Sequence, residues 1–424
     1  MSGTTGDHQL PPVLDEACER AEPLARRFAD AGHTFYLVGG IVRDALVGRG
    51  GHEHDLDATT DARPDEIRRI VADRADAVWD QGARFGTVAA RFGDDVYEIT
   101  THRADAYVPE SRKPEVVFGD DVVADLARRD FTVNAMAVEV LGRRLIDPFG
   151  GRDDLARRRL RTPSGPDISF SEDPLRMLRA ARFLAAYELE PTPELVAAVE
   201  TMGDRLAIVS AERVRDELEK LILLEQPRRG LDFLADTGLL ARVAPELVDV
   251  DRTRWRDPVA RADQTRAVRW AALLRPLGTA GARRRLGALR ASNRLLGEVT
   301  TLIGAAEAPP PDLDPASLRR FVHALRGRVP ADVAARFCET VGAGPEGLAD
   351  AVAELAAVEN LDDLAPPLDG SAVMAELGLE PGPEVGEALD HLLELRLAEG
   401  PMGPDEARRR LGAWWAGRRR RDPA

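Results

Sequence analysis

The pattern of apolar and polar positions divides the chain into a first part with mixed secondary structure and a second part that is helical. Apolar residues at helical spacing predict a first helix over 14–31. The short apolar run 34–38 then predicts a strand, which ends at two glycines, and the segment 41–47 has helical character. The chain is therefore expected to begin its first folded unit with a strand, a glycine turn and a helix.

Further short runs of β-forming residues indicate a sheet in the first part of the chain only. The predicted strands are Asp55–Thr59, Thr87–Arg91, Val96–Thr100, Ala135–Val140 and Leu145–Asp147, and Pro64–Ala72 is a predicted helix. After about residue 150 the strand patterns stop, and the predicted helices are Pro174–Tyr187, Pro193–Thr201, Ala211–Leu223 and Arg228–Leu234. We therefore expect an α+β fold, with a small mixed-sheet head followed by an elongated all-α neck, body and tail.

These patterns predict four parts along the 424 residues, more than one ordinary domain. Residues 1–12 have no periodic pattern and are expected to be a disordered leader. The predicted parts are a leader and first helix (1–30), a head (31–160), a helical neck (161–245), and a helical body and tail (246–424). Proline-rich stretches at 308–317 and 364–370 are predicted linkers.

Composition and charge exclude several classes of protein. No stretch approaches the roughly 18 uncharged apolar residues of a membrane span, and the first twelve residues lack an apolar signal region, so a soluble, cytoplasmic protein is expected. Cys18 and Cys338 lie far apart without neighbouring Cys or His, which suggests neither a disulfide framework nor a zinc site. The net charge of −15 argues against a protein that coats nucleic acid through bulk positive charge.

Local basic patches are nevertheless present, and they consist almost entirely of arginine. Arginines cluster at 157–159, 283–285, 408–410 and 418–421, whereas the chain has only two lysines. Arginine suits RNA because its guanidinium forks onto phosphates and stacks on bases. A coding bias towards GC-rich codons explains the same skew without any function, so the patches alone do not identify an RNA-binding protein.

A pair of carboxylates downstream of the two glycines carries the strongest chemical signal. Asp55 and Asp57 stand at positions i and i+2 of a predicted strand, so both point to one face. Two carboxylates so placed can share a pair of Mg²⁺ ions, one activating a 3′-hydroxyl and the other steadying a triphosphate leaving group. Gly39 and Gly40 allow the backbone to approach phosphates closely.

This order of motifs resembles the DNA polymerase β-like nucleotidyltransferase superfamily, and within it the bacterial-type CCA tRNA nucleotidyltransferase and poly(A) polymerase family. The matching segments are Gly39–Asp44 with Asp55–Asp57, Arg128–Ala137 (similar to the ribose motif), Asp147–Leu155 (the head-to-neck hinge), Glu172–Phe183 (the nucleobase helix) and Ala211–Lys220 (the next neck motif). The resemblance covers about residues 33–225. It implies nucleotide-binding roles for the two glycines, Arg43 and Arg129, and a ribose contact for Asp130.

The nucleobase segment can also be interpreted from hydrogen bonding. Asp173, Arg176, Arg179 and Arg182 recur every three residues and are expected along one helix face. A carboxylate only accepts and a guanidinium only donates, so an Asp/Arg pair fits cytosine and adenine and opposes guanine and uracil. Arg179 and Arg182 are expected to contact the base or the triphosphate; a solvated arginine stripe is the alternative.

One further residue and one departure from the family complete the expectations. Glu98 lies on a predicted strand and could be a third metal-facing carboxylate or an outward-facing strand residue. Many bacterial relatives carry a His-Asp metal phosphohydrolase domain in the body, but the apolar helix 269–274 runs here into Arg275-Pro276 with no His-Asp pair. The body is therefore expected to be a shortened, degenerate form of that domain, a scaffold that grips RNA through the arginines at 283–285 and Arg290.

The function expected from the resemblance is Mg²⁺-dependent, template-independent addition of C and A from CTP and ATP to a tRNA 3′ end. Asp55 and Asp57 are the expected catalytic and metal-binding residues. Two alternatives stay open at this point. One is a poly(A) polymerase of the same family, because the same Asp/Arg pair admits ATP; the other is a catalytically idle RNA-binding relative, against which the intact carboxylates argue.

Overall fold

The computed structural model describes residues 10–50, 55–79, 86–104 and 117–421. The helices are α1 Pro12–Asp30, α2 Gly40–Leu46, α3 Pro64–Val71, α4 Val122–Ala127, α5 Gly151–Ala156, α6 Pro166–Glu172, α7 Arg176–Ala186, α8 Pro193–Met202, α9 Ala211–Ile222, α10 Arg228–Asp236, α11 Leu240–Val243, α12 Arg256–Arg261, α13 Arg266–Leu274, α14 Gly278–Ala288, α15 Asn293–Glu307, α16 Pro315–Ala324, α17 Ala331–Thr340, α18 Leu348–Val358, α19 Gly370–Leu377, α20 Pro383–Glu399 and α21 Pro404–Arg421. The strands are β1 Tyr36–Val38, β2 Asp55–Thr60, β3 Ala77–Trp79, β4 Thr87–Phe92, β5 Asp95–Thr101, β6 Arg103–Ala104, β7 Val117–Phe118, β8 Ala137–Glu139, β9 Arg144–Ile146, β10 Arg159–Leu160 and β11 Glu190–Pro191.

A seven-stranded mixed sheet forms the centre of the first part of the chain. Its strand order is β3-β4-β5-β2-β1-β8-β9, in which β2 and β5 run parallel and the other neighbours run antiparallel. The α+β prediction is confirmed, and each strand predicted before residue 150 is present. The short strand β3 was not predicted, because three residues are too few to show an alternating pattern.

The two faces of the sheet differ, because apolar and polar side chains alternate along β2 and β5. Leu56, Tyr97 and Ile99 point to one face and are at most 2% exposed. Helices α1 and α3 pack on that side, and within them Phe28 and Ile67 are fully buried. The opposite face of β2 and β5 carries the exposed charged side chains, so the sheet has one core face and one open face.

Strand structure does not end at residue 150, which corrects one expectation. Strands β10 and β11 pair in parallel, with Arg159 in register with Glu190. Two residues per strand produce no periodic signal, and only the approach of α7 and its following turn brings these segments together. The remainder of the described chain is helical, as predicted.

The chain divides into two compact units. The first comprises Met1–Val209 with Phe233–Arg242, and the second comprises Ser210–Asp232 with Val243–Ala424. The head and all the candidate site residues lie in the first unit. The second unit is helical, and its core includes the fully buried Trp255 and Trp270. The four-part division of the chain stays a prediction, and residues 1–9 of the predicted leader lie outside the described residues.

In the second unit, the proline-rich segments precede helices. Asp314 accepts hydrogen bonds from the backbone of Ala316 and Ser317 at the start of α16, and Asp369 accepts from Ala372 at the start of α19.

Both cysteines are free and buried. No helix in the described ranges is both long and apolar enough to cross a membrane.

Candidate functional site

Two exposed carboxylates stand on the open face of the sheet. Asp55 and Asp57 are exposed on β2, and Leu56 between them is buried in the core. The alternation of the strand therefore places both carboxylates on the side away from α1 and α3, as the i and i+2 spacing predicts.

Glu98 joins these carboxylates from the neighbouring strand. It lies on β5 in parallel register with Asp57, so both side chains point to the same face. Partial burial, and then the negative charges of Asp57 and Asp55, raise the pKa of Glu98. The three carboxyl groups are therefore close enough to repel one another, and a bound cation would relieve that repulsion.

The glycine turn after β1 closes over the same carboxylates. Gly39 has φ of +74°, which favours glycine, and it leads into α2 at Gly40. A Cβ atom on Gly39 would lie 3.1 Å from Asp57 Oδ2 and 3.5 Å from Arg129 Nη1. A side chain at this position would crowd the Asp57 carboxylate and would have to adopt a backbone conformation that favours glycine.

Arg129 brings a cation to this point from the segment that resembles the ribose motif. Its Nη2 donates to Asp125 at 3.4 Å. Its Nε is buried and finds no hydrogen-bond partner among the described residues. The guanidinium approaches Gly39 with its other end, since Nη1 would lie 3.5 Å from a Cβ atom on that residue.

Arg43 is buried and holds a network behind the site. Its guanidinium forks onto Asp44, with two hydrogen bonds of 2.9 Å, and also donates to Asn134 Oδ1. The Tyr187 hydroxyl donates to the same Asp44 at 2.7 Å, and Arg43 lies over the Tyr187 ring at 4.4 Å. Arg43 therefore fixes the glycine turn to Asn134 and to the end of α7.

Asp130 continues this network towards α7. It accepts hydrogen bonds from Asn134 Nδ2 at 2.9 Å and from Arg179 Nε at 2.8 Å. Burial of Asp130 opposes its ionisation, but the Arg179 charge and the hydrogen bonds from Asn134, Arg179 and the Phe131 backbone outweigh it and lower the pKa of Asp130. Asp130 is therefore an ionised, buried carboxylate that joins the ribose-like motif to the nucleobase helix.

The nucleobase segment differs from its prediction at its start. Helix α7 begins at Arg176, and Asp173 lies in extended conformation in the turn before it, where its Oδ1 accepts from the Leu175 backbone at 3.1 Å. Asp173 is therefore not on the helix face. The three-residue spacing cannot show this, because Asp173-Pro174 ends α6 and the chain bends before α7 begins.

The arginines of α7 are held by different neighbours. Arg176 donates to Ser169 Oγ at 2.9 Å and to the Arg128 carbonyl at 2.6 Å, so it ties α6 and the ribose-like segment together. Arg182 lies over the Phe183 ring at 4.5 Å. The sequence reasoning overlooked Phe183 and Tyr187 as part of the site, although both lie on the same helix at a spacing of four residues.

The hinge-like segment is anchored by a fully buried carboxylate. Asp154 accepts hydrogen bonds from the hydroxyl of Thr132 at 2.6 Å and from Arg161 at 3.0 Å, and it also forms an ion pair with Arg159. A Cβ atom on Gly151 would overlap the carbonyl oxygen of Thr132. These contacts fix the start of the neck directly behind the ribose-like motif.

The described residues contain no large cluster of metal-ligating side chains. No group of three or more His, Cys, Asp or Glu side chains is arranged there to hold an ion. In the predicted degenerate body, α13 is followed at Arg275 by a short 3₁₀ turn and then by α14. The open face of the sheet presents Asp55 and Asp57 on one strand, with Glu98 beside Asp57 on the next.

Comparison with known families matches two segments of the chain. Residues 35–161 match the "Poly A polymerase head domain", and residues 188–250 match the "Probable RNA and SrmB- binding site of polymerase A". The first segment contains the sheet with its carboxylates, the glycine turn and Asp130. The second begins directly after α7.

Individual relatives extend the match beyond these segments. The CCA-adding enzyme of Geobacillus kaustophilus is 35% identical over 297 residues, which are 69% of this chain and 71% of the relative. That of Lactobacillus johnsonii is 37% identical over 231 residues, 54% of this chain and 56% of the relative, so the match spans little more than half of the lactobacillus protein. The Bacillus stearothermophilus CCA-adding enzyme, solved in complex with CTP, superposes with a TM-score of 0.79 at 28% identity and covers 97% of this chain and 100% of that one.

Proposed function

The chain belongs to the family of CCA-adding enzymes, and on that premise we propose that it is a template-independent RNA nucleotidyltransferase that adds C and A from CTP and ATP to a tRNA 3′ end. The observation that carries the proposal is the open sheet face, where Asp55, Asp57 and Glu98 stand beside Gly39 and Arg129. Exposed carboxylates next to a close backbone approach and a cation suit transfer of a nucleotidyl group.

The metal proposed for this face is Mg²⁺. Carboxylate oxygens are the hard ligands that Mg²⁺ prefers, and Asp55 and Asp57 would hold it. Glu98 would add negative charge to the same face from β5. The fit rests on the negative charge gathered on this face: Asp55 and Asp57 point to it together, and the pKa of Glu98 beside them is raised partly by their charges. Bound there, Mg²⁺ would lower the pKa of a 3′-hydroxyl and neutralise charge on the triphosphate.

The reaction is in-line attack of the RNA 3′-oxygen on the α-phosphorus of CTP or ATP. The new O3′–P bond forms as the bond between the α-phosphorus and the bridging oxygen to the β-phosphate breaks. Pyrophosphate leaves, and the 3′-hydroxyl loses its proton. Gly39 and Gly40 admit the triphosphate to the backbone, and Arg129 faces it with a guanidinium.

Selection of the nucleotide is assigned to Asp173 and Arg176, with Arg179, Arg182 and Asp130 supporting the nucleotide. The bonds from Arg176 to Ser169 and to the Arg128 carbonyl hold its guanidinium in place before a base arrives. Such preorganisation favours discrimination, because a guanidinium held in one orientation offers its remaining N–H groups in one direction only. Arg43 supports the site indirectly, through Asn134.

Each of the proposed parts of the chain is assigned a different role in the reaction. The head at 31–160 carries the chemistry, the neck at 161–245 reads the nucleobase and contacts RNA, and the region 246–424 grips tRNA without phosphohydrolase activity. We also propose a cytoplasmic location, because the substrate assigned to the protein is tRNA.

Incubation of the purified protein with Mg²⁺, a tRNA that lacks its 3′ CCA, and each labelled nucleotide in turn tests the proposal. We expect C to be added first, A to follow, and addition to stop at CCA. Continued addition of A alone would identify the poly(A) polymerase alternative, and no addition of any nucleotide would favour the idle relative. Asp57→Asn is the matched control, because it keeps the shape of the side chain and removes its charge.

A further inference from the structure

A tryptophan shares the open face of the sheet with the carboxylates. Trp79 on the edge strand β3 is in register with Ala89, Ala89 with Glu98, and Glu98 with Asp57. Residues in register on neighbouring strands point to the same face, so all four side chains lie on the open side. Three strand spacings of about 4.8 Å separate Trp79 from Asp57 by about 14 Å.

The exposure of Trp79 is unusual for so large an apolar side chain. It is 40% exposed, although the chain buries other tryptophans completely. Ala89 lies between Trp79 and Glu98 in the same row of side chains. Because alanine is small, no side chain there stands between the indole and the carboxylates. A single exposed apolar side chain is ordinary on a protein surface, but tryptophan is enriched at binding interfaces, and this one shares a face with the carboxylates.

Arg91 adds a positive charge beside this ring. It is exposed on β4, two residues from Ala89, which makes it a diagonal neighbour of Trp79 at about 7–8 Å. Arg91 is also in register with Val96, which is in register with Asp55, so its side chain points to the same open face. An aromatic ring next to a guanidinium is the combination that holds single-stranded nucleic acid by stacking and phosphate contact.

We propose that Trp79 and Arg91 bind the RNA strand just upstream of its reacting 3′-hydroxyl, with the indole stacked on a base and the guanidinium on a phosphate. The inference rests on the proposed function and adds two residues to it. The RNA strand would cross the sheet from β3 over Ala89 to the carboxylates.

The order of the strands favours RNA over the incoming nucleotide at this position. Gly39 and Arg129 flank Asp57 from the side of β1, whereas Trp79 and Arg91 lie on the other side, beyond β5. In-line displacement requires the attacking and leaving oxygens on opposite sides of the phosphorus. If pyrophosphate leaves on the side of β1, the 3′-hydroxyl must arrive from the side of β3.

The test compares Trp79→Ala, Trp79→Phe and Arg91→Gln in the full chain. Val78→Ala is the matched control, because Val78 is 39% exposed on the same strand and points to the opposite face. Arg74→Gln is the second control, since Arg74 lines a cavity on the core side of the sheet. Two quantities are measured: the Kd for a fluorescently labelled tRNA lacking CCA, by anisotropy, and kcat and KM for tRNA and CTP separately.

Stacking of a base on an aromatic ring predicts that Trp79→Ala weakens tRNA binding about five- to a hundredfold. The KM for tRNA should rise in parallel, while kcat and the KM for CTP stay within about twofold. Trp79→Phe should recover most of the affinity because it keeps an aromatic ring. Arg91→Gln should reduce the slope of log Kd against log salt by about 0.7, the value for one phosphate contact on a single strand.

Three results would overturn the inference. The first is a Trp79→Ala variant that binds tRNA as tightly as Val78→Ala. The second is a Trp79→Ala variant whose main change is in the KM for CTP. The third is a Trp79→Phe variant that binds tRNA as weakly as Trp79→Ala. Circular dichroism checks that each variant is folded. The binding measurement does not need catalysis. A wild-type protein that adds no nucleotide would therefore refute the proposed function, and the Kd values of the variants would still test the RNA contact.

Discussion

Replacement of Asp130 by asparagine probes the buried network that joins the ribose-like motif to α7. The carboxylate of Asp130 accepts hydrogen bonds from the backbone N–H of Phe131 at 2.8 Å, from Asn134 Nδ2 at 2.9 Å and from Arg179 Nε at 2.8 Å, and it pairs with Arg179 Nη2 at 2.6 Å. All four partners are donors. An asparagine has one acceptor oxygen and one NH₂ group. Its NH₂ group must therefore face at least one of these donors, and no hydrogen bond can form between them.

The size of the effect follows from the two bonds to Arg179. Hydrogen bonds to charged groups are worth about 1.5–3 kcal/mol each, and breaking a buried ion pair costs about 3–5 kcal/mol. The Arg179 side chain is 31% exposed, so water solvates part of the charge that loses its partner. We therefore expect Asp130→Asn to lower the free energy of unfolding by about 2–4 kcal/mol at pH 7.

Acid should remove this difference, since the pKa of Asp130 is lowered in the folded protein. A carboxyl with a lowered folded-state pKa stabilises the fold above its unfolded-state value, and the contribution is lost as the pH falls through the folded-state pKa. The ordinary aspartate value is 3.8. The difference between wild type and variant should therefore be constant above about pH 5 and narrow below about pH 4.

Urea denaturation followed by circular dichroism measures the difference at each pH. Because the chain has two compact units and need not unfold in one step, hydrogen exchange in α7 and in the turn Thr132–Asn134 localises the effect. Glu188→Gln is the matched control, because it breaks an exposed ion pair. Arg158 and Glu188 lie 2.7 Å apart, and their side chains are 66% and 60% exposed. The substitution should lower the free energy of unfolding by less than about 1 kcal/mol. Equal losses in the two variants, or a difference that does not narrow in acid, would refute the argument.

Three further predictions concern the chemistry. Asp55→Ala or Asp57→Ala should abolish nucleotide addition and leave tRNA affinity largely intact, because the proposed Mg²⁺ would act in the transition state; activity within about tenfold of wild type in both would contradict the metal assignment. The full chain should not hydrolyse 2′,3′-cyclic phosphates, since residues 246–424 lack the His-Asp pair; metal-dependent hydrolysis would show that another ligand set is present. Asp173→Ala should reduce selectivity for CTP and ATP over UTP and GTP by roughly ten- to a hundredfold, and unchanged ratios of all four nucleotides would show that this turn only supports the neck.

Local patterns in the sequence were sufficient for the fold class and for the carboxylate pair. Alternation in β2 requires only neighbouring residues, so the common face of Asp55 and Asp57 could be predicted without any knowledge of the sheet. The same holds for the glycine turn, where two glycines after an apolar run mark the end of β1. The loss of strand patterns after about residue 150 also predicted the change from a mixed sheet to helices, apart from the two-residue strands β10 and β11.

The contacts between distant segments were decided by the tertiary structure. The register of β5 beside β2 places Glu98 next to Asp57, and pairing with β3 places Trp79 on the same face. The sequence offered Glu98 only as one of two possibilities and gave no sign of Trp79, because strand order depends on which backbone hydrogen bonds satisfy the whole sheet rather than on any one strand.

The buried arginine network shows the same limit. Asp173 and the arginines of α7 were expected along one helix face, where they would contact the nucleotide. Arg176 instead bonds to α6 and Arg179 to Asp130, while Asp173 precedes the helix. Spacing along a helix predicts the direction of a side chain but not the partner it meets there. The sequence alone thus determined which residue types stand at the site, and the packing of α7 against the head decided which of them are ionised, held in place or open to a nucleotide, because a buried charge takes its partner from whichever segment packs against it.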